Sequence, residues 1–468
     1  MRLLSLIVFL FVAIIRLHAQ TADSVYIDVT MQGLAAGKAK LIGTYCDQNY
    51  LADSAVIDAG GHFVLRRNKS LPPGYYYFLL PGNKSFSFLI DRDQKFSLKG
   101  NINDLPNSME VNGSLNTDLL YRNFRFQSQQ DPELNRVNET IRRGTPGTPE
   151  YAQAKARQDQ LMADRKAHLD ELYRQFPDAL FTKFKIAGQN PDWPDFKKPN
   201  GDTDTARQVQ YYRAHFWDGV DFKDERLLYT PVIGNKLRRY IKELTPQHPD
   251  SLIKVSDALI RQVMPHKPYF KFFANWIAGQ YENTKSTVMD GEAVYVHIIQ
   301  NFFTPELAFW DKPESLEKLQ KHAWEMEASL MGRKGPDVAA PNQYGQMKSI
   351  YEIKAPIIVI FMYSPDCEHC QEQSPKLEQF YQRWKNRGVE VFGIAVNTTD
   401  KEWKDFLVKQ GFSFTNVFDP SNRAIYAKYF VDITPELYVL NKDRTIVAKN
   451  LNVDQLDTVV EREFRKMK

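Results

Sequence analysis

Cysteine is scarce. Three cysteines in 468 residues exclude a disulfide-stapled scaffold and a four-thiolate zinc site supplied by one chain. An excess of one charge sign is missing too: 61 Lys and Arg stand against 57 Asp and Glu, a net charge of +4. A general polyanion binder concentrates basic residues on one face, so no nucleic-acid partner is expected. With 23 Gly, 25 Pro and 43% hydrophobic residues, the chain is neither collagen-like nor largely disordered. Beyond the first twenty residues no stretch is apolar for the roughly 20 residues that a bilayer span needs. What is left is a folding chain of about three domains, at roughly 150 residues each.

The start of the chain reads as an address. Arg2 precedes an apolar run from Leu3 to Ile15, broken only by Ser5, and Arg16-Leu17-His18-Ala19-Gln20 follows. A basic start, a short apolar stretch and a small residue at Ala19 predict a secretory signal over residues 1–19, cleaved before Gln20; an uncleaved anchor is the alternative. With no Cys near that point, a lipid-anchored lipoprotein is not expected. The destination is the periplasm or cell envelope.

Three regions follow. From residue 20 to 114 apolar residues alternate in steps of two, as at Phe86, Phe88 and Ile90. Gly60-Gly61, Pro81-Gly82-Asn83 and Asp91-Arg92-Asp93 supply turns, which predicts antiparallel hairpins in a small β-sandwich. Cys46 there reads as a buried apolar residue. From 115 to 331 the period becomes helical, predicting an all-α domain. Tyr269, Phe272, Phe273 and Trp276 fall on one stripe, as a core-facing helix requires. His215, His248, His266 and His297 lack metal-type spacing. From 332 to 468 strands and helices alternate in an α/β unit with a mixed sheet. It has a fully apolar strand at Pro356–Met362, a second at Val389–Val396, helices from about Asp400 and Asn422, a hairpin at 437–448 and a final helix facing Leu456, Val459, Val460 and Phe464 inward.

The chemistry lies in Cys367-Glu368-His369-Cys370, where the first strand of that unit passes into a long helix. A thiol at a helix N-terminus faces unsatisfied backbone N–H groups and the positive end of the macrodipole, which favour thiolate. Cys367 is therefore the candidate nucleophile. Cys370, one turn on, is placed to close a disulfide or to resolve a mixed one. His369, when protonated, lowers the thiol pKa, while Asp366, Glu368 and Glu372 oppose it. Covalent haem needs His directly after the second Cys, and residue 371 is Gln. Zinc needs more ligands, and no His follows His369. A Cu(I) site of two thiolates and a purely structural disulfide remain open. A peroxidase motif is echoed only by Ser364.

These residues resemble the TlpA/ResA-like branch of thioredoxin-fold thiol:disulfide oxidoreductases. The likeness rests on the strand Ile357–Tyr363, on Cys367 to Cys370, on Pro375 in the helix, and on Thr434-Pro435 before the strand Leu437–Leu440. It covers about the last 130 residues. The resemblance implies a C-terminal thioredoxin fold in which Pro435 is cis and shapes the substrate groove beside the sulfurs. It also implies exchange with envelope protein thiols and disulfides, a membrane-bound reductant as electron partner, and no dissociable cofactor or metal. Two positions depart from the pattern: Phe361 stands where thioredoxins usually carry a buried Asp or Asn, and Gln373 where the ResA-like branch carries Glu, so the proton shuttle falls to water, His369 or Glu372.

Overall fold

The computed structural model describes residues 24–282, 288–422, 428–431 and 433–467. The predicted signal segment lies outside the described residues. The chain divides into two compact units between Lys236 and Leu237.

The first unit opens with eight strands: β1 (Val25–Gln32), β2 (Gly37–Tyr45), β3 (Gln48–Ile57), β4 (His62–Arg67), β5 (Gly74–Leu80), β6 (Lys84–Ile90), β7 (Lys95–Asn101) and β8 (Glu110–Asn112). They form two four-stranded sheets, ordered β4-β1-β7-β8 and β3-β2-β5-β6. Alternate side chains of both sheets, including Ile27, Val29, Leu41, Phe78, Phe88, Phe96 and Leu98, meet in one buried cluster. Burying alternate residues is what the step-of-two pattern encodes. Two expectations need correction. Pairing is not antiparallel throughout, because β1 and β7 run parallel with Ile27 opposite Phe96 and Val29 opposite Leu98; the intervening strands supply the long connection that a parallel pair requires. Of the three predicted turns, only Pro81–Asn83 closes a hairpin, between β5 and β6. Gly60-Gly61 and the segment 91–93 pass the chain from one sheet to the other, since a turn signal encodes reversal but not which edge the next strand joins. Gly61 sits at φ 75, and a Cβ there would lie 2.2 Å from the Met31 carbonyl oxygen, so glycine is required. A hairpin not foreseen joins β2 to β3 through Cys46-Asp47, with Tyr45 opposite Gln48 and Cys46 buried at φ 53.

Helix α1 (Leu105–Ser108) lies between β7 and β8, and after β8 come α2 (Leu115–Arg143), α3 (Pro149–Gln175), α4 (Leu180–Ala187), α5 (Thr205–Ala214) and α6 (Pro231–Lys242), within which the division falls. Ser114 caps α2 by accepting from the Thr117 N–H. Leu119 and Leu120 then pack with Leu172 and Phe181.

The second unit continues with α7 (Pro249–Val263), α8 (Lys267–Tyr281), α9 (Glu292–Phe302) and α10 (Pro313–Glu327), and the stripe Tyr269, Phe272, Phe273, Trp276 is buried on α8. Then come β9 (Ala339–Pro341), β10 (Met347–Ser349), β11 (Ile357–Tyr363), α11 (Glu368–Trp384), β12 (Val389–Ala395), α12 (Asp400–Gln410), β13 (Thr415–Phe418), β14 (Glu436–Leu440), β15 (Ile446–Lys449) and α13 (Leu456–Met467). Their sheet is ordered β13-β12-β11-β14-β15, with β11, β12 and β13 parallel and β14 and β15 antiparallel. Every residue of β11 is buried, because one face packs under α11 and α13 and the other against a second core with Val338 and Ile350. Strand β13 was not predicted: it is four residues long and carries Asn416 among its apolar positions, so it shows no alternation. The helix expected from Asn422 falls largely on residues 423–427, outside the described residues.

The chain between α10 and β11 acts as a strap. The Gly332 N–H donates to Ile446 O, Ile446 N–H to Arg333 O and Gly335 N–H to Arg444 O, meeting the outer edge of β15. Farther along, Asn342 bridges to Val417 on β13. Each sheet edge is thereby met at one end, at Ile446 and at Val417, which shortens the unpaired N–H and C=O rows that invite association.

Candidate active site

Cys367 is the N-cap of α11, half-buried, in extended backbone geometry. Its Sγ accepts the Cys370 backbone N–H at 3.2 Å, one of the donors that a helix start leaves unsatisfied. The same Sγ donates to the Thr434 carbonyl at 3.1 Å, and the Thr434–Pro435 peptide is cis. The proline loop and the helix start, 67 residues apart in sequence, thus converge on one sulfur.

Cys370 lies deeper than Cys367. It is fully buried, within the cluster of Val359, Phe361, Tyr363 and Leu377. Burial, reinforced by the hydrogen bond with Cys367, pushes its thiol up to about 12, against a smaller opposing pull from Ser364 and Thr434. Both thiols are free, as is that of Cys46. Pro375 removes one N–H from α11, and nearby the Ser374 hydroxyl donates to the Cys370 carbonyl at 2.7 Å, so this turn keeps a local polar tie.

His369 points outward. Its side chain is 80% exposed and Nδ1 lies 3.5 Å from Glu372 Oε2. The two substituted positions are absorbed into structure. Phe361 stacks on Tyr363 with ring centroids 5.0 Å apart, and Gln373 Oε1 accepts the Val453 N–H at 3.1 Å.

Sequence reasoning missed several groups. Beneath the thiols the Trp403 indole N–H donates to the Tyr363 hydroxyl at 3.1 Å, which donates to Asn416 Oδ1 at 2.9 Å. A Cβ on Gly393, opposite Asn416 in the sheet, would lie 2.2 Å from that same oxygen. On the far face of the sheet lies a cluster of charge: Asp290, Glu292, Glu436 and Lys449 are each at most 4% exposed. Burial disfavours the Lys449 ammonium, but Glu292, Glu436 and Asp290 outweigh it and hold the group above its ordinary value. Burial drives the Asp290 carboxyl up to about 7, opposed by Lys449 and aided by Glu292. The one local signal was a Glu placed directly after Pro435 at the start of an otherwise apolar strand; nothing in the sequence linked 292 to 449.

Among the described residues no group of three or more His, Cys, Asp or Glu is arranged to hold a metal ion, and no helix is long and apolar enough to cross a membrane.

Comparison with known proteins bears on two stretches. Residues 331–449 match the AhpC/TSA family, and residues 150–331 match a domain of unknown function, DUF5106. Over 123 residues the chain is 22% identical to the thiol-disulfide oxidoreductase ResA of Bacillus thuringiensis (strain Al Hakam), spanning 26% of this chain and 70% of that protein. The ResA of Halalkalibacterium halodurans is 24% identical over 103 residues, 22% of this chain and 58% of its own. Among solved structures, a thioredoxin-like protein from Bacteroides caccae aligns over 58% of this chain and 98% of its own, at 18% identity and a TM-score of 0.48. A domain of a possible thiol-disulfide isomerase from Cytophaga hutchinsonii covers 30% of this chain and 95% of its own, at 27% identity and a TM-score of 0.28.

Proposed function

We propose that this chain, whose C-terminal thioredoxin-like domain is TlpA/ResA-like and makes it an oxidoreductase, is an exported thiol:disulfide oxidoreductase working on proteins of the cell envelope. One observation carries the reading: Cys367 is accessible, holds a backbone N–H on its sulfur and faces the Thr434–Pro435 loop, while Cys370 is sealed beneath it. In the reducing direction, the Cys367 thiolate attacks one sulfur of a substrate disulfide. The other substrate sulfur leaves as a thiolate and takes a proton. Cys370 then loses its proton and attacks Cys367 Sγ, so the mixed disulfide breaks, the second substrate thiol departs and a Cys367–Cys370 disulfide remains. A membrane-bound reductant facing the periplasm returns the two electrons and two protons. Pro435 lines the groove and His369, from the rim, tunes the potential. No dissociable cofactor takes part. The β-rich region, an N-terminal sandwich in this reading, and the helical middle serve recognition or support.

The test separates the two thiols. Cys370→Ser keeps the attack and removes the escape, so mixed disulfides with envelope proteins accumulate as high-mass bands that vanish on reduction. Cys367→Ser traps little and the double substitution nothing. Equal trapping by both single variants, or none by Cys370→Ser under conditions that permit exchange, overturns the assignment.

A further inference from the structure

The charged cluster behind the sheet is placed to do something that stability does not explain. Buried ion pairs are weak stabilisers compared with apolar residues of the same volume, but they fix geometry, and removing one partner leaves an uncompensated charge. Here the geometry leads to the thiols. Glu292, first residue of α9, pairs through Oε2 with Lys449 Nζ, and its Oε1 accepts from Asn450 Nδ2 at 3.0 Å. Lys449 closes β15 directly opposite Tyr438 on β14, with Nζ 5.4 Å from that ring's centroid. The Tyr438 hydroxyl donates to Glu436 Oε2 at 2.5 Å. Glu436 follows Pro435 in the chain, and Thr434, on the other side of that proline, offers the carbonyl to which Cys367 Sγ donates. Asp290, the remaining carboxylate, is tied through Oδ2 to the Met331 N–H at 3.1 Å.

We propose that Glu292 is a positioning residue for thiol exchange: through Lys449 and the Tyr438–Glu436 pair it sets where the Thr434–Pro435 wall of the groove stands against Cys367. The proposal rests on the exchange reading above. Without the Glu292 charge the Lys449 ammonium is no longer held in place over the Tyr438 ring, and the Tyr438–Glu436 pair loses its brace. The residue next to Pro435 then shifts. A polypeptide lying along that wall feels the shift, whereas a small disulfide that meets only the exposed sulfur does not.

The experiment uses the full mature chain with two substrates: insulin, reduced catalytically with dithiothreitol as electron source, and 5,5′-dithiobis(2-nitrobenzoate), mixed with pre-reduced protein from which dithiothreitol has been removed. For Glu292→Gln the expected result is a KM for insulin raised about tenfold, with kcat and the small-disulfide rate within twofold of wild type. A merely structural role lowers both substrates' rates in proportion to the unfolded fraction and leaves KM unmoved. The variant Glu292→Gln/Lys449→Met removes both charges and carries the test if the single variant does not fold. It is expected to recover the wild-type unfolding midpoint and to keep the raised KM. A wild-type insulin KM in either folded variant overturns the proposal. A wild-type protein that reacts with neither substrate overturns the exchange reading itself, and the proposal with it.

Discussion

The contrast between Cys367 and Cys370 yields a number. Relative to an ordinary cysteine, a thiol pushed up to about 12 by burial is displaced by roughly three pKa units, about 4 kcal/mol at 1.36 kcal/mol per unit. At pH 8 its thiolate is therefore about a thousandfold rarer. The thiolate that does form is more nucleophilic, since reactivity rises with a Brønsted slope of about 0.45. Three units return a factor of about 20, leaving a net slowing of roughly 50-fold from charge alone. Occlusion of the fully buried sulfur only adds to it. Reduced protein pulsed with iodoacetamide at pH 8 is therefore expected to carry its first label on Cys367, with Cys370 at least about 50-fold slower than in urea-unfolded chain. Cys46, which burial also pushes far above its ordinary value, should lag in the same way. The two thiols share one tryptic peptide, so fragment-ion mass spectrometry assigns the label. Labelling of native Cys370 within fivefold of its unfolded rate would refute the argument from burial and with it the division of labour.

Other expectations follow from the same site. Asp290, raised from 3.8 to about 7, is protonated in folded and unfolded chains below pH 3.8. As pH climbs through 3.8 to 7, only the unfolded chain ionises freely and stability is lost. Asp290→Asn should therefore match wild type near pH 4 and exceed it at pH 8 by a few kcal/mol, up to about 4; urea curves that stay parallel across that range count against it. Tyr363→Phe strands the Trp403 N–H and the Asn416 acceptor, so denaturation should report a loss of about 1–3 kcal/mol. Equilibration with glutathione should give a potential between about −270 and −120 mV; a value below about −300 mV is that of a non-exchanging structural disulfide. Mature protein should begin near Gln20 and fractionate with envelope contents, and recovery of an intact N-terminus from cytoplasm contradicts that.

What the sequence made legible was local. Cys367 and Cys370 are three apart and sit where an all-apolar run gives way to a helical one, so chemistry and placement were read together. The seven buried residues of β11 and the inward face of α13 announce themselves by composition and period. What stayed hidden depends on residues distant in the chain. The parallel pairing of β1 with β7 is a choice between edges that no turn residue encodes. β13 is too short, and too interrupted by Asn416, to show a period. The Thr434 carbonyl belongs to the backbone and carries no letter of its own, and Glu292 meets Lys449 only because α9 packs against the sheet that Lys449 closes.

The strap of residues 332–353 changes what counts as a severable piece of this molecule. A fragment starting at Gly335 would leave the Ile446 N–H and C=O without the partners they now have in Arg333 and Gly332, and such an open edge recruits the nearest extended backbone, including another copy of itself. A fragment starting at Gly332 keeps that seam but strips from Lys449 its ion-pair partner Glu292 and uncovers the face of the sheet on which that pair lies. Expression of the redox module alone should therefore begin upstream of Glu292, and shorter pieces should self-associate or lose solubility even though every residue that touches the sulfurs is present.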